Sequence, residues 1–277
     1  FKYESFMSLF IHSAAQAHAP YIVLSSGLGG HASFWNPQIK ALQQNFHVVT
    51  YDQEGCHADS ELFPTPYSVD HMARQILDLL INEDICEFHF IGHALGGHIG
   101  MQLATCQTEK GVKLLSLTML NAWGELDSHT QKCFQARTSL LLNSGTEAYV
   151  RAQALFLYPP HWISIHIDQL TEAENRQLLD FPPIQNVLAR LQAVQAFKLN
   201  TEHQQALKDI PVHLLANQDD FLVPYQQSSQ LKQVFPHAEL NILPHGAHAV
   251  TVTQAETFNA LLLGKLLKKP VENLAAS

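Results

Sequence analysis

The chain has 277 residues, 46% hydrophobic and 15% charged, the composition of an ordinary globular protein able to bury one large core. Its formal net charge of −9 and the lack of any basic cluster except Lys268-Lys269 make nucleic acid and anionic membrane poor partners. No apolar run approaches the roughly 20 residues needed to cross a bilayer.

The first apolar run, Phe6 to Ile11 before Ala17-His18-Ala19, carries Glu4 where a signal peptide needs positive charge, so it reads as an edge strand or hairpin. The chain begins at Phe1 rather than Met, which reads as processing or trimming. Tyr21-Ile22-Val23-Leu24 is a short strand ending in Ser25-Ser26-Gly27-Leu28-Gly29-Gly30, a loop whose backbone N–H groups are little shielded by side chains. A helical stretch through Trp35 and Leu42 follows, then a strand over Phe46 to Asp52 and a polar loop from Gln53 to Pro66. Ser68 caps a helix carrying Met72, Ile76, Leu79 and Leu80.

Phe88-His89-Phe90-Ile91-Gly92-His93-Ala94-Leu95-Gly96-Gly97 is the organising stretch. An apolar run passes through glycines flanking a small residue and continues as Leu95, Ile99 and Leu103 at helical spacing, so it reads strand, sharp turn, helix. That is the context of a nucleophile elbow with the pattern G-x-S-x-G, except that the central residue is Ala94, whose methyl group cannot attack a carbonyl. Taken alone, two glycines before a helix can simply mark close packing.

Leu114 to Leu120 is the next strand. From Glu125 to about Leu207 only helical pieces occur: Ser128 to Leu142 with a stop at Asn143-Ser144-Gly145, a piece capped by Thr146 and ended by Pro159-Pro160, His161 to Leu179, and Ile184 to Phe197. The strand pattern returns at Val212 to Ala216 and Glu239 to Leu243, each followed by a helix, the last from about Gln254 to Leu267. Strands apolar on both faces alternating with helices predict an α/β fold with a mostly parallel sheet covered on both sides, catalytic loops lying at the strands' carboxyl ends. The expected organisation is a core of residues 1–124 and 207–277 with a helical cap, residues 125–206, over that edge. Phe134, Phe156, Tyr158 and Trp162 are its candidate pocket aromatics.

Downstream of the elbow, Asn217-Gln218-Asp219-Asp220 with Pro224 follows one strand and Pro244-His245-Gly246-Ala247-His248 the next, giving the chain order nucleophile, acid, histidine. Together with Gly27 to Gly30 and the elbow, these segments resemble the α/β-hydrolase family along nearly the whole chain. The resemblance implies Asp220 as triad acid, with Asp219 its rival, His248 as base, Ala94 at the nucleophile's place, and the N–H groups of Leu28 and Leu95 as oxyanion-hole donors. His93 and His245 are expected to serve the turns. Within that family, Gly27-Leu28-Gly29-Gly30, Tyr51-Asp52-Gln53, Gly92-His93-Ala94-Leu95-Gly96, Cys133-Phe134-Gln135, Leu155-Phe156-Leu157-Tyr158-Pro159 and Glu256 to Leu263 resemble the aminoacrylate or carbamate hydrolases of bacterial uracil degradation, in which alanine at the elbow is familiar. Glu54 departs from the basic residue expected before Gly55.

The resemblance implies a small-molecule C–N hydrolase that uses water activated by His248 and Asp220. Two other readings stand beside it: a serine ester hydrolase carrying Ser→Ala at position 94, and a non-catalytic binding protein on a hydrolase fold. Both favoured substrates carry a carboxylate. Among Lys40, Arg74, Arg137, Arg151, Arg176 and Arg190, the choice falls on Arg137, which shares a helix face with Phe134 and Leu141. Four scattered cysteines, none in CxxC, argue for reduced thiols in a cytoplasmic protein. Despite 17 histidines no set of ligands stands at metal spacing, so no metal and no cofactor are expected. The expected partner is a small-molecule substrate, with a homodimer as an admissible assembly.

Overall fold

The computed structural model of the chain describes residues 8–267, so the Lys268-Lys269 pair and residues 6 and 7 of the first apolar run lie outside the described residues. A seven-stranded sheet forms the centre: β1 (Leu9–His12), β2 (Tyr21–Ser25), β3 (His47–Tyr51), β4 (Glu87–His93), β5 (Lys113–Leu120), β6 (Val212–Asn217) and β7 (Glu239–Leu243). Across the sheet they run β1-β3-β2-β4-β5-β6-β7. All neighbours are parallel except the edge strand β1, which pairs antiparallel with β3. The strand that leads into Ala94 is thus the central one.

Side chains alternate between the faces, as the pleat requires. Ile22, Leu24, Val48, Ile91, Leu120 and Leu215 pack with Trp35, Leu42, Phe258 and Leu262, from α1 (Asn36–Leu42) and α11 (Ala255–Leu266) and the turn before α1. Val23, Val49, Phe90, Leu117 and Leu214 turn the other way, onto α2 (Val69–Asn82) and α3 (Leu95–Cys106). Met72, Ile76 and Leu80 form the buried stripe of α2, and Ser68 Oγ accepts the His71 N–H at 3.3 Å at its start. The remaining predicted strand and helix positions agree with the structure to within a few residues at their ends.

Between β5 and β6 lie only helices: α4 (Ser128–Leu157), α5 (Pro160–Ile165), α6 (Ile167–Leu179), α7 (Ile184–Ala196) and α8 (Thr201–Leu207). The glycine stop predicted at 145 is real, since Gly145 (φ 89°, ψ 176°) interrupts α4 as a kink between two helical stretches. Two local readings need correction. The single helix expected over His161–Leu179 is broken at His166, whose ring Nδ1 meets the Trp162 carbonyl oxygen at 2.9 Å and stacks on the Trp162 ring. The helix α8 escapes the hydrophobic pattern because it is short; its start is set by Asn200, whose side chain accepts the Glu202 and His203 N–H groups while His203 Nδ1 accepts the Asn200 N–H.

The helical segment is hydrogen-bonded to the carboxyl edge of the sheet from several of its helices. Thr130 Oγ1 donates to the Leu222 carbonyl at 3.1 Å, the Leu157 carbonyl accepts the Ala249 N–H at 3.0 Å, and Arg190 Nη2 donates to the Leu28 carbonyl at 3.2 Å. The chain closes with α9 (Gln226–Val234) and the short α10 (Val250–Thr253) before α11.

Candidate active site

The strand β4 ends in a turn whose backbone explains its sequence. Ala94 sits at φ 49°, ψ −108°, a left-handed conformation that costs a non-glycine residue of order 1–3 kcal/mol and persists only where the surroundings impose it. The flanking glycines are required by contact: a Cβ on Gly92 would lie 2.1 Å from the Gly96 carbonyl carbon, and one on Gly96 would lie 2.2 Å from the Ser25 carbonyl oxygen. The Ala94 N–H is tied to the Leu120 carbonyl at 2.8 Å, so β5 holds the turn from one side while β2 crowds it from the other. A strained, almost buried methyl group therefore occupies the apex.

Asp220 and His248 come together from the ends of β6 and β7. His248 Nδ1 lies 2.7 Å from Asp220 Oδ2, and both side chains are buried. Asp220 Oδ1 accepts the Leu222 and Val223 N–H groups at 2.8 and 2.9 Å, which fixes the carboxylate's orientation. With Nδ1 facing a carboxylate, that nitrogen carries the proton and Nε2 is left as the accepting atom. The rival acid is engaged elsewhere: Asp219 accepts the Gly246 and Ala247 N–H groups at 3.1 and 2.8 Å, shaping the turn that presents His248.

The histidines expected to serve the turns do so in different ways. His93 Nε2 and Asn121 Nδ2 each donate to the His248 carbonyl at 2.9 Å, and the His93 ring packs edge-on to His248 with centroids 4.6 Å apart. Burial, reinforced by His248, holds His93 well below the usual histidine range, so it is neutral. His245 is exposed, and its carbonyl accepts from Asn217 Nδ2 at 2.9 Å. On α3, His98 is fully buried and donates to the Trp123 carbonyl at 3.0 Å; burial pushes its pKa down to about 3.

Leu95 follows Ala94 in the elbow and Leu28 lies in the loop after β2, the strand beside β4, and among the described residues neither N–H has a hydrogen-bond partner. For Leu95 this follows from its place as first residue of α3. The Leu28 loop is held from outside the core by Arg190, a residue whose role the sequence did not reveal. Buried on α7, Arg190 donates to the carbonyls of Leu28 and Glu54 and to the Gln53 side chain, while Gln53 Nε2 donates to the Ser26 carbonyl at 2.7 Å. A cation thus reaches the Gln53-Glu54 backbone from a distant helix, where Glu54 itself is acidic.

Among the named candidates Arg190 and Arg137 are the buried cations, and Arg137 is the one enclosed by aromatic rings. It is 5% exposed, its guanidinium carbon lies 5.6, 5.8 and 5.9 Å from the ring centres of Phe134, Tyr149 and Phe156, and Nη2 meets the Tyr149 hydroxyl at 3.4 Å. Among the described residues it has no carboxylate partner, and its Nε has no hydrogen-bond partner. By contrast Arg74 pairs with Asp70 and Glu109, Arg151 with Glu147 and Glu174, and Arg176 with Glu172, while Lys40 is exposed. The aromatic box around Arg137 has further ring neighbours: Phe156 lies 6.1 Å from Phe221, and Phe134 lies 6.0 Å from Trp123. A small cavity lined by Leu28, Gly29, Tyr149, Arg190 and Leu191 joins this region to the glycine loop without touching Ala94 or His248. None of the four expected aromatics lines that cavity: Phe134 and Phe156 pack around Arg137, and Tyr158 and Trp162 stack on each other at 4.6 Å.

A parallel sheet with an elbow after its central strand, an acid after β6 and a histidine after β7 defines a class, and the alpha/beta hydrolase family model matches residues 22–261; the chain belongs to that family. It is 53% identical over 255 residues to the Acinetobacter baylyi protein named "Putative carbamate hydrolase RutD", covering 92% of this chain and 95% of that one. It is 46% identical to the protein of the same name from Serratia proteamaculans, covering 90% and 92%. Among solved structures, the enol-lactonase of Burkholderia xenovorans superposes with a TM-score of 0.81 at 22% identity, covering 94% and 96% of the two chains. A serine-to-alanine mutant of the meta-cleavage product hydrolase of Pseudomonas fluorescens, complexed with acetates, superposes at 0.77 with 18% identity, covering 95% of each chain. These last two likenesses concern the fold.

Proposed function

We propose that the protein is a hydrolase of a small, labile C–N substrate, a carbamate or an enamine acid such as aminoacrylate, working without a covalent enzyme intermediate. The observation that carries this reading is the Asp220–His248 pair, in hydrogen-bond contact at 2.7 Å and belonging to a site whose elbow presents a methyl group. The names of the relatives in Acinetobacter and Serratia support carbamate as the substrate class and, with the resemblance of the motifs, a place in pyrimidine breakdown.

The step balances with water alone. His248 Nε2 takes a proton as the water oxygen bonds to the carbamate carbon, or to the imine carbon of the tautomerised enamine. The C–N bond then breaks, the proton passes to the leaving nitrogen, and ammonia departs. In the carbamate route the Leu28 and Leu95 N–H groups hold the substrate oxygen on which charge develops; in the enamine-acid route, where the electron pair passes to nitrogen, Arg137 meets the substrate carboxylate. Hydrolases stripped of triad members keep roughly 10³ to 10⁴-fold acceleration over water from the oxyanion hole and binding. That is too little for a stable amide but suits a molecule that already decomposes in water. The protein acts on a soluble metabolite in the cytoplasm.

Timed ammonia release from carbamate and from freshly generated aminoacrylate, with and without protein, tests the reading. Equal rates in both would leave a binding protein on a hydrolase fold. The second reading, an ester hydrolase with its serine replaced, is favoured by the strained backbone kept at Ala94; a serine codon at position 94 of the natural gene would establish it.

A further inference from the structure

Away from the dyad, the fold brings one histidine to three side chains that lie close together along the chain. His31 follows the Gly27–Gly30 loop; Asp52, Cys56 and His57 follow β3. One ligand atom from each lies within 4.8 Å of all the others. The geometry points to a binding site for one divalent transition-metal ion of the zinc class, held by two imidazoles, one thiolate and one carboxylate, and clipping the glycine loop to the loop after β3.

Three features beyond proximity support it. First, two edges of a coordination tetrahedron are nearly in place. Zinc–sulfur and zinc–nitrogen bonds of about 2.3 and 2.1 Å put tetrahedral neighbours about 3.4–3.6 Å apart. Cys56 Sγ lies 3.9 Å from His31 Nδ1, and His57 Nε2 lies 3.3 Å from Asp52 Oδ2. The other edges need the ligands drawn in by about 1.4 Å at most, which the partly exposed His57 allows.

Second, the outer contacts are those of a ligand set. His57 Nδ1 faces Asp180 Oδ2 at 2.7 Å, the carboxylate–histidine arrangement that frees Nε2 for a metal, and Asp180 Oδ1 is held by the Ala58 N–H at 2.9 Å. Asp52 Oδ1 accepts the Ala32 N–H at 2.8 Å, leaving Oδ2 for the ion.

Third, charge and access suit the ion. A thiolate with Asp52 and Asp180 carries three negative charges against a divalent cation and the nearby Arg190, so the filled site is neutral. Cys56 is buried while His57 is a third exposed, giving one open side for entry. On binding, the Cys56 proton leaves to solvent as the sulfur–metal bond forms. The ion lies three residues beyond Leu28, so it stiffens the loop that presents that N–H and, through Asp180, joins it to the segment between α6 and α7.

The test titrates tag-free, chelator-treated protein with Co²⁺ under reducing conditions, then displaces it with Zn²⁺. One equivalent should bind with an intense near-ultraviolet thiolate-to-cobalt band, and Zn²⁺ should abolish the band and raise the melting temperature. Cys56→Ser should lose the band. Asp180→Asn, on the half-exposed outer partner, should keep the band but weaken binding about 10 to 100-fold. No band in the parent protein, or a band that survives in Cys56→Ser, overturns the proposal and leaves His57 as an imidazolium bridging Asp52 and Asp180. The band in the parent protein reports ligation by one of the four free cysteines, and its loss in Cys56→Ser with a parental circular dichroism spectrum assigns it to Cys56.

Discussion

Replacing Arg137 with methionine separates substrate binding from stability, because the structure predicts opposite consequences for the two. Arg137 is buried with three aromatic rings around it and, among the described residues, no carboxylate beside it. A buried ion without its partner is costly, and replacing buried charge with a well-packed apolar side chain is often neutral or stabilising by about 1–4 kcal/mol. Methionine has similar reach and makes favourable contacts with Phe134, Tyr149 and Phe156. Against this stands the loss of cation–π attraction, about 2 kcal/mol for a desolvated guanidinium. The net change for folding lies between about −1 and +2 kcal/mol, so the melting temperature should change little or rise. Binding behaves otherwise: a charged hydrogen bond is worth about 1.5–3 kcal/mol, equivalent to about tenfold to a hundredfold in KM. Initial rates of ammonia release give KM and kcat, and differential scanning fluorimetry gives the melting temperature. A KM that rises with kcat little changed marks Arg137 as a group that binds ground state and transition state alike. An unchanged KM at parental stability would refute the assignment and move the carboxylate to the Leu28 and Leu95 donors.

Ala94→Ser restores a hydroxyl at the elbow and should produce measurable hydrolysis of p-nitrophenyl acetate; no gain with an intact circular dichroism spectrum would mean that His248 does not reach it. His248→Ala should lower ammonia release by about 10² to 10⁴-fold, the range of a general base, and an unchanged rate would remove His248 from the mechanism. His98 bears on acid stability: its folded pKa lies near 3, below its unfolded value, so its contribution is complete above the unfolded pKa and is lost as pH falls from about 6.5 toward 3. In His98→Gln the urea midpoint should fall less between pH 7 and pH 5 than in the parent, by about 2 kcal/mol of unfolding free energy; identical acid limbs would show that His98 is not held neutral.

How much of this site could be read along the chain depends on the range over which each constraint acts. The elbow was legible because Gly92 and Gly96 answer to atoms of their own turn and of β2, leaving a local signature. Asp220 and His248 were legible because β6 and β7 each end in a short loop, so position after a strand already places them on the carboxyl edge. The break at His166 was not, since it rests on a side chain competing for the Trp162 carbonyl within a pattern that otherwise reads as helix.

Sequence by itself therefore determined the strand and helix pattern, its order of elements, the elbow and the place of Asp219, Asp220 and His248 just after their strands, because strand alternation, helix period and glycine sterics are properties of neighbouring residues. Tertiary structure alone decided that Asp219 shapes a turn while Asp220 meets His248, that Arg137 is buried without a carboxylate, and that Arg190 on α7 holds the Leu28 carbonyl. It also decided that His31 meets Cys56 and His57 across the end of β3. Such pairings join residues 25 to 162 positions apart, and long side chains reach whatever the packed helices bring near. No periodicity along the chain encodes that.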